Sequence, residues 1–374
     1  MLTRRTAMQS VAVGSAGLAS STFVAIGRAA DSLGSIAAAH ACLYGCAAST
    51  FELQNAEFAS LLAREPRILV AEYEMKRTAL QPHPERYDFA AADTLLRFSE
   101  RKQMAFRGHT LVWHKANPPW LSDALASSRS EALLTGYIAA VAGHYRGRMH
   151  SWDVVNEALA PEDGRTDNLR NTPWLKALGP SYTDMAFHAA RSADPHALLV
   201  YNDWGCEGAG AKHDRFRAAT LKFLEQAKRR GVPIDAYGMQ GHLQAFGAPV
   251  DQPKLRVFVD GLKALGLKVL ITEHDVDDGG GPLDIAARDR AVADASRRFL
   301  DVVLDSDATI AVLTWGLSDR FLDPPDWKAA LKGYNPRMLP LDAAFARKPM
   351  WQAMAASFAG RRGNQLLIRQ SLLR

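Results

Sequence analysis

Eight short apolar runs punctuate this chain, separated by longer stretches in which apolar residues recur every three to four positions. The runs are Leu43–Ser49, Ile68–Glu74, Ala105–Trp113, Ser151–Glu157, Leu198–Asp203, Ala236–His242, Lys268–Val276 and Ile310–Leu317. Their brevity and β-branched content read as strands buried on both faces. The stretches between them have helical period. Phe216, Thr220, Phe223, Leu224 and Ala227 share one stripe, as do Ile285, Val292, Ala295, Phe299, Val302 and Val303. Gly231 and Gly266 stand where a helix C-cap wants glycine. Eight such strand–helix units predict an α/β fold, a closed (β/α)8 TIM barrel forming a single catalytic domain. On pattern alone an open doubly wound sheet is the rival. It would favour fewer strands and a glycine-rich first turn, and neither is present.

In a closed barrel the C-terminal ends of all strands meet at one mouth. Seven of the eight runs end in residues able to meet a polar ligand: Glu72 to Lys76, His109 to His114, Asn156-Glu157, Asn202-Asp203-Trp204, Gln240-Gly241-His242, Thr272 to Asp275, and Trp315-Gly316. The fourth run ends abruptly in an amide and a carboxylate. A carboxylate at the exit of a buried strand is costly to desolvate unless something compensates it. Alone, Glu157 would read as an acid reaching water just past a strand. With Glu273 three units round the barrel it forms a pair that can cleave a glycosidic bond. One carboxyl protonates the leaving oxygen, and the other attacks the anomeric carbon or activates water. Trp113, Trp204 and Trp315 offer flat apolar faces to sugar rings, with core or rim packing as the other use of each. Strand alternation sends Asn156 and Glu157 to opposite faces. Both reach the mouth only if the strand bends or bulges at its end, so an irregularity is predicted there.

Composition alters this picture little, but charge needs care. The chain carries +5 overall with a pI of about 9.1, yet residues 1–30 and 361–374 hold seven arginines and no acid, leaving −2 on the body between. That body has no electrostatic footprint for nucleic acid. Residues 1–30, with Arg4-Arg5 ahead of an Ala/Gly/Ser-rich apolar run, resemble a twin-arginine export signal, although Ala7 stands where phenylalanine is usual. An ordinary secretory signal is the alternative; either predicts a periplasmic or extracellular protein with no membrane association once the leader is removed. Residues 31–360 form the expected catalytic domain and 361–374 a basic tail. Cys42 and Cys46, four apart in extended chain, would lie about 13 Å from each other, beyond disulfide reach. Free thiols are expected there and at Cys206.

Several motifs together resemble glycoside hydrolase family 10, the endo-1,4-β-xylanases. They are Gly108-His109-Thr110-Leu111-Val112-Trp113-His114, Trp152-Asp153-Val154-Val155-Asn156-Glu157-Ala158, Gly238-Met239-Gln240-Gly241-His242-Leu243, Ile271-Thr272-Glu273 and Trp315-Gly316-Leu317-Ser318-Asp319. They occur in the family's order and span roughly residues 43–358. The resemblance implies that Glu157 is the acid/base and Glu273 the nucleophile of a retaining double displacement on xylan. It implies that Asn156 holds the 2-hydroxyl of the sugar being cleaved and that His242, with Gln240 beside it, orients Glu273. His109, Trp113 and Trp315 would shape the first glycone subsite, and Glu72 and Lys76 would reach the next sugar. No cofactor or metal is implied, and a monomer is expected.

Four positions depart from the family pattern. Tyr73 replaces an asparagine, Ala116 a glutamine, His274 a leucine, and Asp323 stands where a tryptophan lids the cleft, with Trp327 nearby. His274 would add charge close to Glu273. These changes touch sugar-holding residues and put substrate choice in question more than reaction type. They also define the alternatives: a related β-1,4-glycanase, or a carbohydrate-binding or sensing protein on a catalytically weak barrel. A metal-dependent hydrolase using His109, His114, His242 and His274 is a third, but alternation sets His109 and His114 on opposite faces.

Overall fold

The structure is a computed structural model, and it describes residues 32–126, 130–322 and 334–361. The expected leader lies outside these residues, as do Asp323, Trp327 and the tail beyond Arg361. The described residues form one compact unit.

The described residues contain nine strands: β1 (Leu43–Ala48), β2 (Ile68–Ala71), β3 (Ala105–Gly108), β4 (Ser151–Asn156), β5 (Leu198–Asp203), β6 (Ala236–Met239), β7 (His242–Gln244), β8 (Lys268–Asp277) and β9 (Thr309–Thr314). Eight of them pair in parallel, with β1 bonded to β9 and β6 to β8, which closes the ring. The expected (β/α)8 barrel is therefore the fold. β7 lies outside the ring and pairs only with the far end of β8, His242 opposite Asp275.

The strands begin at or within one residue of the starts of the apolar runs, but several stop earlier than those runs. β2 ends at Ala71, β3 at Gly108 and β9 at Thr314. Beyond these points the backbone leaves the regular ladder and finds partners one at a time. Glu72 N donates to Ala48 O, Leu111 N to Asp153 O, and Trp315 N to His274 O. The residues released from the ladder are the ones that line the mouth. The sixth run breaks at Gly241, whose φ of +79° favours glycine, and this separates β6 from β7.

Alternation along the strands sorts the core into two layers. Ala47, Ile68, Val70, Val200, Ala236, Leu270, Ala311 and Leu313 make a small cluster filling the ring, while a larger apolar layer joins strands to helices. Arg107 and Asp153 are fully buried and paired through both guanidinium ends. Such a pair holds because its geometry is bidentate. Gly108 is required beside it, because a Cβ there would collide with the Trp152 ring. In the helix Ala211–Arg229 the expected stripe is buried. In the helix Ile285–Val303 it is buried except for Ile285, which is exposed. Asp284 caps that helix through Ala286 N and Ala287 N, so Ile285 occupies the first turn, ahead of the packed face. Cys42, Cys46 and Cys206 are buried free thiols. No helix among the described residues is long and apolar enough to cross a membrane.

Candidate active site

The predicted irregularity lies at the end of β4. Its register against β5 shifts between Asp153 and Val155, and Glu157 adopts φ +57°. A left-handed backbone at a non-glycine residue is held only where the surroundings over-determine it. Here they do. Glu157 N donates to Asn202 O at 2.8 Å, and Arg170 donates from Nε to Glu157 O and from Nη2 to Leu159 O, both at 2.9 Å. The buried Asp203 carboxylate accepts from Leu159 N, Trp204 N and the Tyr201 hydroxyl. Burial pushes that carboxyl well above the usual range. The bend brings both side chains to one face: Gln240 Nε2 lies 3.3 Å from Asn156 Oδ1 and 3.2 Å from Glu157 Oε1.

β8 has its own register shift against β9, between Ile271 and His274. Glu273 faces the mouth there and is 6% exposed. Its Oε1 accepts from Asn202 Nδ2 at 2.8 Å, and His242 Nε2 lies 3.3 Å from Oε2. His109 Nδ1 stands 3.9 Å from Oε1 while bonded to Asp153 at 2.8 Å. Burial opposes ionisation of Glu273, but His242, His109 and the Asn202 amide outweigh it and draw the carboxyl down to about 2. Burial likewise pulls on the His242 imidazole, yet the carboxylates of Asp275, 2.9 Å away, and Glu273 hold it well above its ordinary value. The result is an imidazolium gripping an ionised carboxylate.

One hydrogen-bond network spans both glutamates. Asn202 is fixed in orientation because Thr272 Oγ1 donates to its Oδ1, leaving Nδ2 to reach both Glu273 and Asn156 Oδ1. Gln240 completes the path from Asn156 to Glu157. On one side of the pair, His109 contacts the rings of Trp113 and Trp315, with centroids 6.3 and 5.3 Å away. Lys76 Nζ sits among Trp113, Trp315 and Tyr73, at 5.4, 5.7 and 5.8 Å from their centroids. Burial lowers its amine against the pull of Glu273, Glu72 and Glu157. Glu72 is half-buried in the turn after β2. On the other side, past His242, a cleft of 330 Å³ is lined by Trp204, Lys212, His213, Gln244 and Asp277.

The ten residues expected at the site thus gather at one mouth. His274 does not join them. It turns outward from β8, its ring nitrogens 2.8 Å from Gly241 O and from Ser296 Oγ, and burial brings it down to about 4. It is neutral near pH 7 and adds no charge beside Glu273, because the strand period puts it on the opposite face. The four-histidine metal reading fails on the same residue, and no group of three or more His, Cys, Asp or Glu among the described residues is placed to hold a metal. Three supporting residues had gone unassigned. Asn202 and Asp203 carried a signal, a polar strand end. Arg170 carried none, since it acts on the backbone of a residue thirteen positions earlier.

The model of glycosyl hydrolase family 10 matches residues 32–357. Endo-1,4-beta-xylanase B of Thermotoga neapolitana is 31% identical over 309 residues, covering 81% of this chain and 84% of that one. Endo-1,4-beta-xylanase C of Paenibacillus barcinonensis is 31% identical over 322 residues, or 79% of this chain; the match spans only 28% of that longer protein. Among solved structures, xylanase 10B from Thermotoga petrophila RKU-1 in complex with xylobiose superposes with a TM-score of 0.77 at 29% identity, covering 88% of this chain and 97% of that one. With its motifs in order on a closed barrel, this chain belongs to glycosyl hydrolase family 10.

Proposed function

We propose that the protein is a retaining endo-1,4-β-xylanase, with Glu273 as nucleophile and Glu157 as acid/base. The observation that carries this is the different company kept by two carboxylates in one network. Glu273 is clamped in its ionised form by an imidazolium and an amide. The hydrogen-bond partners of Glu157 are the amides of Gln240 and Asn156. This difference in surroundings supports Glu273 as the ionised nucleophile and Glu157 as the group that carries the proton.

In the first step Glu273 attacks the anomeric carbon while Glu157 gives its proton to the departing glycosidic oxygen. In the second, Glu157 takes a proton from water as that water breaks the glycosyl ester on Glu273. Asn156, positioned by Asn202, would hold the 2-hydroxyl. Xylan as substrate is supported by the names of the relatives and by the xylobiose-bound structure. Cutting within chains is supported by a mouth that continues past His242, on the side away from Lys76. Export rests on the Arg4-Arg5 leader alone.

The test is to follow xylohexaose cleavage by proton NMR with the purified mature chain. The β-anomer of the new reducing end should appear first and then mutarotate. Appearance of the α-anomer first would rule out double displacement, and tight binding without cleavage would favour a sugar-binding protein.

A further inference from the structure

Three successive residues of β8 converge on one short segment, Gly241-His242. From one face of the strand, Glu273 Oε2 lies 3.3 Å from His242 Nε2 and Asp275 Oδ1 lies 2.9 Å from His242 Nδ1. From the opposite face, His274 Nδ1 lies 2.8 Å from Gly241 O. Gly241 is held at its other end too. Its N–H donates to Glu207 Oε1 at 3.2 Å, and Glu207 Oε2 accepts from Gly205 N at 2.7 Å. With φ +79°, and with Ile271 Cγ2 only 3.0 Å from where a Cβ would stand, Gly241 makes both a bend and a close approach to β8. The imidazole that grips Glu273 thus follows directly on a glycine fixed from both sides.

The partners of His274 set its state. A carbonyl oxygen only accepts, so Nδ1 carries the proton, and Nε2 then accepts from the Ser296 hydroxyl 2.8 Å away. His274 and Ser296 are fully buried, and the Phe299 ring stacks on the imidazole with centroids 5.5 Å apart. The charged groups near His242 are Glu273, Asp275 and Asp277 on β8 and, across the cleft, Glu207, Lys212 and His213. Burial keeps His274 neutral near pH 7, so it adds no charge to this set. What it supplies is a directed donor. The leucine that the family resemblance implies at this position has none.

We propose that His274 is a positioning residue: through the relay Ser296–His274–Gly241 it aims His242 at Glu273. The relay ties the nucleophile to the helix Ile285–Val303, behind the barrel wall. The inference rests on Glu273 as nucleophile and adds to that reading a support outside the mouth.

The experiment compares His274→Leu, His274→Asn and Ser296→Ala with the native enzyme. Each is read by kcat and KM on xylohexaose and by NMR titration of the His242 imidazole, assigned with His242→Asn. Replacing a neutral ring changes no charge, so a shift in the His242 titration reports its distance from Glu273 and Asp275. In His274→Leu the His242 pKa should fall toward its ordinary value by about half a unit or more. There kcat should drop about fivefold with KM little changed. Ser296→Ala should move both in the same direction by less, because the ring then loses the partner that fixes its tautomer. His274→Asn, whose amide can donate to Gly241 O, should recover most of both. Adding Ser296→Ala to His274→Leu should change nothing further, as for members of one relay. An unmoved His242 titration in His274→Leu would overturn the proposal, and so would His274→Asn as damaging as His274→Leu. If His274→Leu does not fold, Ser296→Ala decides, and an unmoved titration there overturns it. Failure of the nucleophile reading would show separately, as an active Glu273→Ala.

Discussion

At the floor of the mouth, Glu157, Glu273, Asn156, Asn202 and Gln240 are all buried and bonded to one another. On the glycone rim beside them, Tyr73 is 51% exposed, and Lys76 meets three aromatic rings. The floor has its donors and acceptors set before any substrate arrives, which suits groups that must stabilise charge without reorganising. The rim offers apolar faces and charges whose partners are partly solvent, which suits contacts that vary from one substrate to another. Three of the four departures from the family pattern, Tyr73, Ala116 and Asp323, fall among its sugar-holding positions. His274 departs on the outer side of β8, and neither it, Tyr73 nor Ala116 bonds to the floor network. Changes at the floor should therefore cost turnover, and changes at the rim should cost affinity.

The largest expected effect is that of Glu273→Ala, which should lower kcat on xylan by about 10⁴-fold or more. Near-native activity would remove Glu273 from the reaction and dissolve the distinction between floor and rim. Next comes His242→Asn. Without the imidazolium, burial acts on Glu273 with less opposition and its pKa rises from about 2. The acid limb of kcat/KM should then move up by about one to two pH units, with activity near pH 3 falling most. An unmoved limb would show that His242 does not hold the carboxylate charged. The same depressed pKa has a stability consequence. Glu273 contributes fully above its ordinary value of 4.5 and loses that contribution as pH falls toward 2. Arg170→Ala should lower kcat roughly tenfold with KM little changed, because it loosens the backbone that aims Glu157. Partial recovery in Arg170→Lys would separate this from misfolding. The smallest effect is at the rim: Tyr73→Ala should raise KM by about threefold and leave kcat alone, on the scale of one lost ring contact. A loss in kcat instead would place Tyr73 with the floor.

The floor was more legible in the sequence than its supports. Eight strands could be placed because burial on both faces leaves unbroken apolar runs, and Glu157 and Glu273 because they end two of them. Even the bend before Glu157 was readable, as a conflict between period two and a shared face. The ends of β2, β3 and β9 were not, since residues at the mouth exchange the ladder for single hydrogen bonds that have no characteristic composition. β7 was hidden for a related reason: three residues pairing only with an extension of β8 leave no periodic trace. Arg170 was invisible because any residue supplies the carbonyl oxygens it grips. His274 was misjudged because adjacency in sequence means opposite faces in a strand.

The left-handed backbone at Glu157 sets the protein's durability against its activity. At φ +57° glycine and asparagine are more at ease than glutamate, and neither would bury a carboxyl group under the mouth. Random mutagenesis selected for heat resistance alone should therefore find replacements here that gain about 1 kcal/mol and destroy the enzyme. Any campaign to harden this barrel has to screen for turnover at every round, because this site would reward thermal stability with an inert protein.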